Sequence, residues 1–270
     1  METSFKEIVE IILRWAHVFA GIMWVGATYY FTWLDGRFVE LEKKNENGEN
    51  AEKYVWMVHS GGFYLVEKQK RPQMMGQTLH WFKWEAALTW ITGILLFVLL
   101  YYRSLLFKQG EDALISESAA VWLSIGMILG GWVVYDLLWK FCKCRVTGII
   151  ISFLLIVGSS WVACRYFSGR GAYLQVGAMM GTIMAANVWM RILPAQRRMV
   201  NALKAGQEPD LAEGERAKNR SKHNSFIVVP VVFLMISNHY YSIYGSHYNW
   251  IILPVTVVLG WIAAKIIRGA

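Results

Sequence analysis

With 270 residues, 56% of them hydrophobic and only 17% charged, the chain is more apolar than a soluble domain, where about 25% of residues are charged. Its mean hydropathy is +0.33 and its formal net charge is +8. The basic residues sit at the ends of apolar runs rather than along a stripe. That pattern excludes nucleic acid as the partner and points to orientation in a lipid bilayer.

Seven segments approach the roughly 20 apolar residues that a spanning helix requires. They are 8–34, 79–107, 119–141, 146–167, 173–193 (running on toward Leu203), 224–244 and 248–267. The first has no basic leader or cleavage site and reads as a retained helix. Residues 35–78 and 194–223 are polar and read as loops within a single domain, 1–270, with an exposed turn near Asn45 to Asn50. Lys43, Lys44, Lys68, Lys140, Lys143, Arg145, Arg197, Arg198, Lys222 and Lys265 all fall on the side of those two loops. Cytoplasmic loops carry the excess of Lys and Arg. The expected architecture is therefore an all-α integral membrane bundle of about seven spans. Its N-terminus lies outside, its C-terminus is cytoplasmic, and it is a multi-pass protein of a bacterial inner membrane.

Ionisable groups inside spans are costly and mark function. Arg14 and His17 are i and i+3 neighbours in the first span, and His239 lies near the outer end of the sixth. His17 and His239 suit the axial positions of a b-type haem, with Arg14 against a propionate and Gly21 and Gly26 admitting the macrocycle. The plainer alternative is an interhelical hydrogen bond between the two histidines.

A second cluster gathers at the cytoplasmic ends: His59, His80, Lys83, Glu85 and His223. His59 precedes Ser60-Gly61-Gly62, a flexible turn able to offer backbone amides to a ligand. His223 lies about 24 Å from His239 along one helix and on a different face. That favours one haem b with an inner substrate or quinone site over two haems. Asp136 and Asn187 are polar at membrane depth and either could pair with Arg191 or line a polar pocket. Trp81, Phe82, Trp84 and Trp90 read as an interfacial belt. The three cysteines make no disulfide framework. Cys142 and Cys144 have no nearby histidine to complete a metal site.

Four stretches together resemble one family: RWAHVFAGIMWVG in the first span, HSGGFYLVEK in the loop, LHWFKWEAALTWITG opening the second span, and NHYYSIYGSHYNW near the end. They are similar to the membrane domain of the bacterial membrane-bound urate oxidases, and the similarity covers nearly the whole chain. The resemblance implies a multi-helix membrane domain working with a cytochrome c domain outside the cytoplasm, and oxidation of urate. No CxxCH follows the seventh span here, so the expected partner is a separate cytochrome c-like acceptor. On this reading His59, His80, Lys83 and Glu85 handle a cytoplasmic-side donor, with urate the candidate. Electrons then pass to haem at His17 and His239, with His223 as a further cofactor-binding candidate. Two alternatives stand beside it: a non-catalytic haem subunit associated with respiratory complex subunits, and a haem-free transporter. Self-association of the chain is compatible with each.

Overall fold

A computed structural model of the chain describes residues 5–47, 53–69, 79–102, 108 and 113–269. Helix α1 spans Phe5–Glu46 and is followed by a hairpin of β1 (Tyr54–His59) and β2 (Gly62–Glu67). Helices α2 (Trp84–Leu100), α3 (Glu117–Phe141), α4 (Arg145–Tyr166) and α5 (Gly169–Ala186) come next. A π-helical turn at Asn187–Ile192 joins α5 to α6 (Leu193–Lys204) without a break. The chain ends with α7 (Leu211–Ser237), the single turn α8 (Tyr241–Tyr244) and α9 (Asn249–Gly269).

Among the described residues five helical units are long and apolar enough to cross a bilayer: α1, α3, α4, the α5–α6 rod and α9. Helix α2 is apolar but only 17 residues long. In α7 only the second half, from Asn224 onward, is apolar. The expected second span therefore begins several residues late, at Trp84, and its last part, 103–107, lies outside the described residues.

The two segments read as loops are largely structured. Helix α1 runs on through Glu46, and the first turns of α7 are built from residues of the second polar segment. In the hairpin, His59 pairs with Gly62 across Ser60 and Gly61, both at positive φ (49° and 77°). Two residues with positive φ form the primed turn whose twist matches paired strands, which explains the glycine. The turn thus serves strand reversal. One hairpin face packs Val55, Met57 and Val66 on Leu34, Phe38 and Leu41 of α1, while Trp56, Val58, Phe63 and Leu65 on the other face are exposed. Asp35 ties the assembly together by ion pairs to Lys68 and to Lys218 of α7.

Helix α5 is the hub. Its run of Gly, Ala and Met lets neighbours approach closely, and it is buried on nearly every face against α3, α4 and α7. Gln175 of α5 is matched with Ser124 of α3. Ser124 donates to Gln175 Oε1 at 2.6 Å, and Gln175 Nε2 donates to the Ser124 carbonyl at 3.0 Å. By contrast, Ile12, Trp15, Phe19 and Ile22 of α1 and Trp122 of α3 stay exposed, as suits a surface facing lipid rather than water. Helices α7 and α9 pack closest at Pro230 and Gly260, where a Cβ on Gly260 would lie 2.6 Å from Pro230 Cδ. Both contact partners are rigid, so Gly260→Val is expected to cost about 1–3 kcal/mol by overpacking. A thermal-unfolding series in detergent checks this, and an unchanged midpoint would contradict the contact.

Candidate functional site

At the end of the bundle where α3 finishes and α4 begins, one carboxylate organises three elements. Asp136 of α3 accepts from Arg191 Nε at 2.8 Å and pairs a second time with the Arg191 fork. Its Oδ1 also accepts from Arg220 Nη2 at 2.9 Å, and its backbone carbonyl from the same nitrogen at 3.3 Å. The Asp136 and Arg220 side chains are only 10% and 11% exposed, whereas Arg191 is 44% exposed. The Asp136–Arg220 pair is therefore the desolvated one.

Beside it runs a chain of hydrogen bonds. Asn224 Nδ2 donates to the Met184 carbonyl at 3.0 Å, and Asn187 Nδ2 lies 2.9 Å from Asn224 Oδ1 and 3.0 Å from Tyr135 Oη. Tyr135 Oη and His223 Nδ1 are 2.7 Å apart. With Asn187 donating to the phenol oxygen, the Tyr135 hydroxyl proton points to His223 Nδ1, and Nε2 carries the imidazole hydrogen. The Arg220 guanidinium lies 5.0 Å over the Tyr135 ring, and the Trp139 ring lies 4.2 Å from that of His223. Arg220 Nη1 is buried without a partner.

Of these groups Tyr135, Trp139, Arg191, Arg220 and His223 face a cavity of about 1350 Å³ between α3 and α4, floored by α5, α7 and α9. Among the described residues nine lysines and arginines line it and no acidic residue does. Such a lining concentrates positive potential and favours an anion. Cys144, in the turn between α3 and α4, caps α4. Hydrogen bonds from the Thr147 side chain, and from the Thr147 and Val146 backbone, hold its thiol below the usual cysteine value.

The residues singled out from sequence fall in five places. His59 is exposed at the hairpin tip, 2.9 Å from Ser60 Oγ. His80, Lys83 and Glu85 surround the start of α2. There His80 meets the Phe82 ring at 4.4 Å, Lys83 lies 5.3 Å over Trp84, and Glu85 Oε2 is buried without a partner. His223 belongs to the cavity instead. No cluster of three His, Cys, Asp or Glu forms among the described residues.

His17 and His239 occupy a fourth and a fifth place. His17 Nδ1 lies 2.9 Å from the Thr89 carbonyl, which can only accept, so Nδ1 carries the hydrogen and Nε2 is bare. That nitrogen is the one an iron would take. The ring packs on α2, where a Cβ on Gly93 would come within 2.8 Å of it, while Gly21 and Gly26 have no such close neighbour. Arg14 pairs with Glu10 at 2.8 Å. His239 is exposed just past the end of α7. Helices α1 and α7 meet where Tyr29 Oη donates to the Ser225 carbonyl at 3.2 Å. From there His17 lies about 18 Å along α1 and His239 about 21 Å along α7. Among the described residues no hydrogen bond or ring contact joins the two. His17 Nε2 is left without a hydrogen, and His239 is not brought to it.

Tyr135, Trp139, Arg220 and Asn224 were not singled out from sequence. The available signal is the i, i+3, i+4 spacing of Arg220, His223 and Asn224 on one helix face, hidden when 194–223 is read as a loop.

A polytopic helical membrane protein with a cationic, aromatic-walled cavity at one end is the class these elements define. The chain matches the family model for the urate oxidase N-terminal domain over residues 3–268, and it belongs to that family. Searches of curated proteins and of solved structures give no match.

Removing Asp136 strands a buried guanidinium, whereas removing Arg191 takes away a half-exposed partner. Asp136→Ala is expected to cost about 3–5 kcal/mol and Arg191→Ala about 1 kcal/mol or less. Unfolding of both variants in the same detergent compares them; equal losses would mean that Arg191, not Arg220, carries the pair.

Proposed function

We propose that the chain is the membrane-embedded module of a urate-oxidising redox enzyme, and that the cavity at its basic end receives the purine as an anion. The observation that carries this reading is the all-cationic lining, to which Arg220 and His223 both belong, in a chain of the urate oxidase N-terminal family. Urate is a planar anion rich in carbonyl oxygens. The Arg220 guanidinium offers it positive charge, His223 Nε2 a donor, and the indole of Trp139 a ring face. Arg220 is held for that task by Asp136, which leaves part of its fork free. His223 is held by Tyr135, and Tyr135 by Asn187.

In this reading the bundle crosses the bilayer seven times, with α2 and the apolar half of α7 completing the five longer spans. Lys140, Lys143, Arg145, Lys222 and Lys265 then gather on the cytoplasmic side. The cavity opens on that side and takes its substrate from the cytoplasm. His80, Lys83 and Glu85 lie across the π turn from it, linked through the Trp84 and Trp189 rings at 5.9 Å. They border the site and do not touch the cavity.

Arg220→Gln keeps a donor and removes the charge. It is expected to weaken urate binding by about tenfold or more, since a hydrogen bond to a charged group contributes about 1.5–3 kcal/mol. Equilibrium dialysis with labelled urate measures this. Undiminished binding by a folded Arg220→Gln protein would move the site elsewhere.

The bare Nε2 of His17 supports a second element of the proposal: a b-type haem carries the electrons toward an external cytochrome c-like acceptor. A haem there would supply one-electron acceptance. The role of this chain is to hold His17 in one tautomer through Thr89. A pyridine haemochrome assay of the purified protein is expected to show haem that His17→Ala loses and His239→Ala reduces. Equal haem in the parent and both variants would remove these ligands from consideration.

A further inference from the structure

We propose that the same cavity also holds one anionic phospholipid, with its phosphate on the lysines at the mouth and its acyl chains along the trough between α3 and α4. The inference rests on membrane embedding and not on urate as the substrate.

Size is the first argument. Pockets for single small ligands run to about 300–1,000 Å³, and this one is about 1350 Å³. A purine at Arg220 and His223 leaves most of it unfilled. Shape is the second. The lining follows α3 from Trp122 to Trp139, about 25 Å along a helix at 1.5 Å per residue. That exceeds half of a hydrocarbon core about 30 Å thick, and it suits a fatty chain rather than a polar metabolite.

The trough has a structural cause. Helix α3 packs chiefly on α5, and α4 on α5 and α9, so α3 and α4 touch little. Gly126 and Gly130 thin the α3 wall, and a Cβ on either would meet nothing within 4 Å. The deeper lining is apolar, with Met127, Val134, Ile149, Leu155 and Ile156. Trp122 and Val134 are 72% and 51% exposed, so the wall is open on its lipid side.

Charge is the third argument and selects the occupant. Lys140, Lys143, Arg145, Lys222 and Lys265 line the mouth, and among the described residues none has an acidic partner. A cationic pocket between helices at one end of a bundle, continuous with an apolar trough, fits an anionic head with two chains. A neutral lipid would leave those cations uncompensated, and a free phosphate would leave the trough unfilled.

The full-length protein, reconstituted in phosphatidylcholine vesicles with and without phosphatidylglycerol, tests this through its unfolding midpoint. Phosphatidylglycerol is expected to raise the midpoint by several degrees, and inorganic phosphate is expected to leave it unmoved. The triple variant Lys140→Gln, Lys143→Gln, Lys265→Gln should unfold normally in phosphatidylcholine and lose at least half of the shift. Gly126→Leu and Gly130→Leu, which fill the trough without altering charge, should also reduce it. No shift, the same shift with phosphate alone, or a full shift in all these variants would overturn the proposal. Arg220→Gln, which weakens the purine site and leaves every mouth lysine in place, should keep the full phosphatidylglycerol shift, so the fate of the purine site and that of the lipid are read separately.

Discussion

The carboxylate of Asp136 is the constraint on which this end of the molecule depends. It sits on α3 and is shared by two guanidiniums, one from the π turn and one from α7. A buried ion pair holds only when its remaining hydrogen-bonding capacity is also used. Both oxygens of Asp136 are used, and its own carbonyl takes a further bond from Arg220. One negative charge between two positive ones leaves a net cation directed into the cavity. The clamp that closes the helices therefore also sets the sign of the site.

The π turn makes the sharing possible. Pro194 has no backbone N–H, so the carbonyl four residues before it loses its helical partner. The helix accommodates this by widening just upstream, and the Leu193 amide bonds to the Val188 carbonyl. Wide turns of this kind recur at functional sites because they redirect side chains. Here Asn187 is fully buried and reaches Tyr135 and Asn224, Arg191 reaches Asp136, and Trp189 turns toward the start of α2. The turn thus separates the cavity from the His80, Lys83 and Glu85 group, which sequence reading had placed in one cluster with His223.

Much of the membrane character was legible in the residues. Long apolar runs with cations at their ends require a bilayer, whatever their neighbours, because burial of apolar area does not depend on which partner supplies it. Asp136 and Asn187 also stood out as polar groups at membrane depth, and Arg191 was in view as a partner for either; the fold pairs Asp136 with Arg191. The polar stretches were misread. The hairpin of residues 54–67 alternates Val55 and Met57 inward with Trp56 and Val58 outward, yet its charged flanks and glycines resemble a loop. The first turns of α7 are too polar to look like a buried helix, so the face carrying Arg220, His223 and Asn224 went unseen.

Taken alone, then, the chain establishes that it folds as helices in lipid, roughly where those helices lie, and which family it belongs to. These follow from local hydropathy and from motifs, which each segment carries in itself. Packing alone determines which polar groups meet: His17 with Thr89, His223 with Tyr135, and Asp136 with two arginines. Helical periodicity says which face a side chain occupies, but not which helix comes to rest against it. That choice is made by close approaches such as Gly260 on Pro230 and Gly93 under the His17 ring, between residues far apart in the chain.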